Sequence, residues 1–133
     1  MKLPGSYQAC LAVAEQRLTV LPPDEALDFG RVGFGILFIM AKWSGGSQLA
    51  FRALNKALAS MPDLNGLRLH VADIDGANVE NLFSTVGAVP AGTGETFWIA
   101  KGQIVHQLAG YGDAQVATIQ EYTRNILACP QSE

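Results

Sequence analysis

The sequence predicts an α/β fold in which a mixed β-sheet carries helices on both faces. The run Ile36–Met40 is apolar without interruption, which is typical of a central strand covered on both sides. Downstream, apolar residues at helical spacing alternate with strand-like segments, the order that parallel strands joined by helices require. Two further runs, Thr96–Ala100 and Gln103–Leu108, flank a Lys101-Gly102 turn and predict a β-hairpin.

The remaining elements are predicted from periodicity and from residues that end helices. Apolar residues at helical spacing predict an N-terminal helix from Tyr7 to Leu18, which Pro22-Pro23 cannot continue. We expect Asp113 to cap the last helix. In chain order, the other predicted elements are a strand around Thr19–Leu21, a short helix from Asp24 to Phe29, a helix with Phe51, Leu54, Leu58 and Met61, a strand with Leu67, Leu69 and Val71, a helix with Val79, Leu82, Phe83 and Val86, and a last helix with Val116, Ile119, Ile126 and Leu127.

The composition fits one domain with a continuous core, since 49% of the 133 residues are hydrophobic and 16% are charged. We expect residues 1–133 to form a single domain, with a core of about residues 18–127 and a helical extension at residues 1–17. The net charge is −3 and Lys and Arg are scattered singly, which argues against a nucleic-acid partner. The longest apolar run, Ile36–Ala41, is too short to cross a bilayer, so we expect a cytoplasmic protein without a membrane partner.

The two cysteines, Cys10 and Cys129, lie near opposite ends of the chain. This spacing fits neither a metal site nor a dense disulfide framework, and it predicts two reduced thiols. The alternative is a terminal disulfide, which would require the two end helices to meet. No cofactor motif is present. Asp73 and Asp75 have no third metal ligand nearby, and we interpret Asp75 as a helix cap and Asp73 as a solvated acid at a strand end.

The segment after the central strand, Trp43–Ser47, resembles the active-site tryptophan and dithiol motif of the thioredoxin family. Ser44 and Ser47 stand at the two cysteine positions. Val89-Pro90 resembles the family's cis-proline, and Gly110 resembles the glycine after its last strand. The resemblance covers about residues 18–127 and implies a thioredoxin-like three-layer sandwich with an added N-terminal helix.

Two departures from the family pattern concern the same region. Phe38 occupies the strand position where many thioredoxins bury an acid that assists proton transfer, and residues 91–95 lengthen the loop after Pro90. Both departures argue against ordinary thioredoxin catalysis.

The chemistry of the motif depends on the two serines. Disulfide exchange needs a thiolate and a second, resolving thiol, and serine supplies neither. The serines are either the natural residues or replacements of a Cys-Gly-Gly-Cys motif, and with either origin Ser44 is placed to cap the following helix. Serine hydrolysis is not expected, because Ser44 and Ser47 lack a nucleophile-elbow context and His70 and His106 lie inside predicted strands.

Three hypotheses follow from this resemblance. The first is a noncovalent polypeptide-binding module with a chaperone-like or assembly role, whose groove is formed by Trp43, Ser44, Gly45, Gly46, Val89 and Pro90 and takes an extended peptide without a cofactor. The second is a thiol-disulfide oxidoreductase in a Cys-to-Ser form, with Ser44 at the nucleophile position and Ser47 at the resolving position. The third is a structural subunit that uses its apolar surface to form a homo-oligomer.

Overall fold

The computed structural model describes residues 3–22, 24–25, 34–61, 63–64, 66–86, 92–109 and 115–128. Its strands are β1 (Leu18–Val20), β2 (Phe34–Met40), β3 (Arg68–Asp73), β4 (Thr96–Ala100) and β5 (Gln103–Leu108). Its helices are α1 (Gly5–Gln8), α2 (Gly45–Ala59), α3 (Ala77–Val86) and α4 (Val116–Leu127), and a short 3₁₀ helix covers Glu15–Arg17. None of the helices in these ranges has both the length and the apolar character that a membrane span needs.

The strands form one mixed sheet in the order β1-β3-β2-β4-β5. Strands β1 and β2 both run parallel to β3, whereas β4 runs antiparallel to both β2 and β5. Strand β2 lies at the centre, as its uninterrupted apolar sequence predicts, and its last five residues are at most 2% exposed. The predicted α/β architecture, with a mixed sheet covered by helices, is therefore confirmed.

Each face of the sheet has its own apolar core, because successive strand residues point to opposite sides. On one face, Ile36, Phe38, Leu69 and Trp98 pack with side chains of α1, α2 and α4. On the other, Leu37, Ile39, Ala72, Phe97 and Ile99 pack with Val79 and Leu82 of α3 and with Leu21. The candidate site lies at the edge of the first core, where β2 ends and α2 begins.

The predicted N-terminal helix is wrong over most of its length. Helix α1 has four residues, and the chain then continues to β1 without a longer helix. The backbone N–H of Ala12 donates to Asn55 Oδ1 on α2 at 2.8 Å instead of to a carbonyl one turn earlier. Tyr7 and Val13 are buried on the same core. An isolated helix of this length is marginal in water, so packing against α2 decides the path of this segment.

The hairpin between β4 and β5 is confirmed, with its turn at the predicted residues. Lys101 and Gly102 both have positive φ angles, 54° and 74°, as the two-residue turn of type I′ requires. Strand β1 begins one residue earlier than predicted. The predicted helix from Asp24 to Phe29 falls largely outside the described residues, and Gly110 and Asp113 lie outside them as well.

Candidate functional site

The candidate site is built on the four-residue connection from β2 to α2. The N–H of Ser44 donates to the carbonyl oxygen of Ala41 at 3.0 Å, which closes a turn around Lys42 and Trp43. Ala41 is fully buried, whereas Lys42 and Trp43 are exposed. The backbone of the turn is therefore fixed at buried Ala41, and the side chains of Lys42 and Trp43 point into solvent.

Ser44 caps helix α2, as predicted. Its backbone is extended (φ −112°, ψ 120°), and its Oγ accepts the N–H of Ser47 at 3.3 Å. Serine is favoured at this position because its oxygen satisfies an N–H group that the first helical turn leaves without a partner. Gly45 and Gly46 form the start of the helix, and a Cβ at Gly45 would meet no atom within 4 Å.

Ser47 lies on the inner side of the same turn and is fully buried. Its Oγ accepts the N–H of Ala41 at 3.0 Å and lies 2.8 Å from the hydroxyl oxygen of Tyr7. The Tyr7 hydroxyl is also 3.2 Å from the carbonyl oxygen of Ala41. We call these three residues the Tyr7–Ser47 cluster: two side-chain hydroxyls and the N–H and C=O groups of Ala41.

Tyr7 comes from α1 and is 1% exposed. Its ring packs against Phe51 of α2 with the centroids 5.3 Å apart. Burial raises the pKa of Tyr7 above its usual value, against the opposing effect of the Ser47 hydrogen bond, so the phenol keeps its proton at neutral pH. Burial likewise raises the pKa of the neighbouring Cys10 thiol, which is free.

Trp43 is the most exposed large apolar side chain of the described residues, at 66%. The outer atoms of its six-membered ring (Cζ2, Cη2 and Cζ3) lie close to Gly92 in the loop before β4, where φ is +75°. A Cβ at Gly92 would come within 2.5 Å of the Trp43 ring, so only glycine permits this close approach. The loop before β4 and the turn after β2 thus form one surface.

One ion pair lies beside this surface. Lys42 Nζ lies 3.4 Å from Asp73 at the end of β3, and Asp73 also accepts the N–H of Asp75 at 2.9 Å. Asp73 lies at the end of its strand, as predicted, but its side chain is 17% exposed and paired with Lys42, so it is only partly solvated. Asp75 does not cap α3, because Gly76 precedes the helix and its carbonyl accepts the first helical N–H groups.

The comparison with solved structures bears on this arrangement of strands and helices. A thioredoxin from Malassezia sympodialis matches with a TM-score of 0.56 and 19% sequence identity, covering 80% of this chain and 90% of that chain. Thioredoxin O2 from Arabidopsis thaliana matches with a TM-score of 0.59 and 15% identity, over 81% of this chain and 95% of that one. Spinach chloroplast thioredoxin F gives a TM-score of 0.58 and 12% identity, over 81% and 94%. The chain has the thioredoxin fold. No protein-family model matches the sequence, and no curated protein shows significant similarity to it.

Within the thioredoxin fold, the predicted site residues divide into two groups. Residues 43–47 lie together at the start of α2, as the sequence predicts. Val89 and Pro90 lie outside the described residues, so the cis conformation of that peptide bond stays a prediction. Gly92, two residues after Pro90, contacts Trp43 and brings this loop to the motif.

Phe38 lies below the motif on β2 and is fully buried. Its ring packs against Phe51 at a centroid distance of 4.9 Å. An aromatic ring thus fills the strand position where the thioredoxin resemblance implies an acid.

The two histidines lie in strands and away from the motif. His70 is 9% exposed on β3, and neither ring nitrogen has a hydrogen-bond partner among the described residues. His106 on β5 stacks on Tyr122 of α4 at 4.2 Å between centroids. Neither residue has a hydrogen bond to Ser44 or Ser47 among the described contacts.

Two contributors to the site were missed in the sequence. The helical spacing predicts only a stripe position for Tyr7, although a buried tyrosine needs a partner for its hydroxyl. The resemblance places Gly92 only in a lengthened loop, and the glycine-rich sequence Gly92-Thr93-Gly94 is the signal in the sequence for a close approach.

Proposed function

We propose that this protein is a thioredoxin-fold module that binds an extended polypeptide noncovalently, in a chaperone-like, assembly or regulatory role in the cytoplasm. The observation that carries the proposal is Trp43, a tryptophan held 66% exposed at the start of α2 by contact with Gly92. Exposing so large an apolar surface to water is unfavourable for a free protein. Tryptophan is also among the residues that contribute most to binding at protein interfaces.

The hydrogen bonds of the two serines support a noncovalent mode. Ser44 uses its oxygen to cap α2, and Ser47 uses its oxygen to join α1 to the turn. Both roles suit a hydroxyl acceptor, and neither residue can form a mixed disulfide. The chain as written therefore binds without exchange chemistry.

The proposed ligand is an extended peptide that lies across Trp43, Ser44, Gly45 and Gly46 and along the Val89-Pro90 segment. Strand-like peptides bind through main-chain hydrogen bonds and place alternate side chains in pockets. Exposed Trp43 supplies an apolar contact. The sequence motif supports this placement, and so does the contact of Gly92 with Trp43, because Gly92 follows Pro90 by two residues in the sequence.

A peptide-display selection against the purified chain, followed by titration calorimetry with a selected peptide, tests the proposal. We expect Trp43→Ala to abolish binding while thermal unfolding stays unchanged. Val105→Ala is the matched control, because Val105 is an exposed apolar residue (45%) on β5, away from the motif. Equal affinity of the Trp43→Ala and Val105→Ala proteins would contradict the proposal.

The second candidate function is a thiol-disulfide oxidoreductase in a Cys-to-Ser form. The observation that favours it is the position of Ser44, partly exposed at the N-terminus of a 15-residue helix. A cysteine there would have a lowered pKa and an accessible thiolate. The test is reduction of a disulfide substrate, coupled to a dithiol reductant, by the Ser44→Cys/Ser47→Cys protein. Activity of that variant alone supports this function, and a folded but inactive variant supports the binding module.

A further inference from the structure

The Tyr7–Ser47 cluster joins the N-terminal segment to both ends of the site turn. Ala41 lies at the start of the turn, and Ser47 lies in the first turn of α2. All three residues are at most 1% exposed, so water cannot replace a lost partner. The cluster therefore depends on its own donors and acceptors.

Every hydrogen-bond donor of the cluster can find an acceptor within the cluster. Each hydroxyl carries one proton and can also accept. The Tyr7 proton reaches the Ala41 carbonyl at 3.2 Å, and the Ala41 N–H reaches Ser47 Oγ at 3.0 Å. The two hydroxyl oxygens, 2.8 Å apart, then need only one proton between them, which Ser47 can supply. In this arrangement every proton of the cluster has an acceptor.

The distances suit oxygen at position 47. A contact of 2.8 Å is ordinary between two oxygens but shorter than a hydrogen bond to sulfur. A thiol is also a weak donor and a weak acceptor. A cysteine at this buried position would have to displace Tyr7 or leave the Ala41 N–H poorly satisfied. A cysteine at position 44 would not face this constraint, because the side chain there is partly exposed.

The same cluster adjoins the turn that carries Trp43. Ala41 holds the turn through its carbonyl bond to Ser44 N–H at 3.0 Å, and Trp43 is the residue before Ser44. The N-terminal segment has a second attachment to α2 through Ala12 and Asn55. Loss of the Tyr7 hydroxyl would thus remove its contacts with Ala41 and Ser47 at the two ends of the turn while the segment stays attached.

We propose that Tyr7 is a positioning residue of the candidate site: its hydroxyl fixes the turn that carries Trp43, and the cluster requires a hydroxyl at position 47. The N-terminal segment is then part of the site. It also follows that the hydrogen-bond partners and distances around position 47 suit serine and not cysteine. The effect on ligand binding rests on the proposed function, whereas the effect on the turn does not.

Fluorine NMR of the chain labelled with 5-fluorotryptophan tests the positioning role. Its two resonances report Trp43 and Trp98, and Trp43→Phe assigns them. We expect Tyr7→Phe to shift or broaden the Trp43 resonance by more than its linewidth and to leave Trp98 in place. Tyr122→Phe is the matched control, because Tyr122 packs edge-on against Trp98 at 5.1 Å and should move only that resonance. An unchanged Trp43 resonance in folded Tyr7→Phe protein overturns the proposal.

A double-mutant cycle tests the requirement for a hydroxyl. We expect Ser47→Cys to lower the urea midpoint strongly in the chain with Tyr7 and much less in the Tyr7→Phe background, because the cluster is already broken there. Ser44→Cys should act equally in both backgrounds. Additive effects of Tyr7→Phe and Ser47→Cys overturn the requirement. If the Trp43 resonance responds to Tyr7→Phe while no selected peptide binds, the proposed function fails and the positioning role stands.

Discussion

The two serines of the motif differ in environment although they lie three residues apart. Ser44 belongs to an outer half of the motif with Trp43, which is exposed and rests on Gly92. Ser47 belongs to an inner half with Ala41, which is buried and bound to Tyr7. The difference shows that the burial and the contacts of each serine, and not its residue type, decide whether it serves ligand contact or the stability of the fold. The outer half can meet a ligand, and the inner half maintains the fold.

The same division holds for the glycines of the facing loop. Gly92 and Gly94 both have positive φ angles, +75° and +79°. Gly92 faces the exposed Trp43 ring, whereas Gly94 faces Ala50 and the Phe38 ring in the core. An exposed ring can move aside, but a core side chain held on several sides cannot.

The largest expected effect tests this contrast between the two glycines. Gly94→Ala should lower the free energy of unfolding by about 3 kcal/mol, because a left-handed alanine costs about 1 kcal/mol and the new Cβ would overlap the Ala50 Cβ at a further cost of about 2 kcal/mol. Gly92→Ala should cost about 1 kcal/mol, mainly for the backbone. Urea denaturation measures both, and equal losses would contradict the division into outer and inner halves.

The second prediction compares the serines directly. Ser47→Ala should lower the free energy of unfolding by about 2 kcal/mol, because it leaves the buried Ala41 N–H without its acceptor and the Tyr7 hydroxyl without its side-chain partner. Ser44→Ala should cost about 1 kcal/mol, the usual value for a lost helix cap. Chemical denaturation of the two variants side by side provides the measurement. A larger loss for Ser44→Ala would reverse the assignment of inner and outer roles.

The third prediction concerns His70, on the sheet face opposite the motif. Burial, with a smaller contribution from Arg68, lowers the pKa of His70 in the folded protein. The folded state then binds fewer protons than the unfolded state, so its stability is complete above the usual histidine pKa of about 6.5 and is lost as pH falls. The loss from one such group cannot exceed about 1.4 kcal/mol per pH unit.

Urea unfolding at about pH 7.5 and about pH 5.5, on either side of that usual value, checks this prediction. His70→Leu should reduce the dependence on pH, and His106→Gln, on β5, should retain it. A pH dependence that survives in the His70→Leu protein would assign the effect to other groups. The Trp43 resonance of the chain labelled with 5-fluorotryptophan should not change, because the described residues show no hydrogen bond, ion pair or ring contact between His70 and residues 41–47.

The smallest expected effect lies in the outer half. Lys42 is 55% exposed and pairs with Asp73 at 3.4 Å. Lys42→Ala should change the free energy of unfolding by less than about 1 kcal/mol, since an exposed ion pair is weakened by solvent and salt. The difference from the parent chain should disappear at about 1 M salt, where the Debye length is only about 3 Å. A large, salt-independent loss would place Lys42 with the inner half.

The strand and helix order was predictable because it follows from local patterns. The apolar run of β2, the stripe of α2 and the Lys101-Gly102 turn each leave a signal within a few neighbouring residues. The N-terminal helix was the exception. Its spacing was helical, yet Asn55, more than forty residues away along the chain, takes the Ala12 N–H instead. Such a contact leaves no periodic signal in the sequence.

By itself the sequence determined the order of the elements, the turn of the hairpin and the positions of Ser44 and Ser47 at the start of a helix. It also excluded dithiol chemistry for the chain as written, because that chemistry depends on residue type alone. Only the tertiary structure decided that Ser47 is bound by Tyr7 and that Trp43 rests on Gly92. These contacts join segments forty or more residues apart, and burial and close packing, which no local pattern encodes, select them.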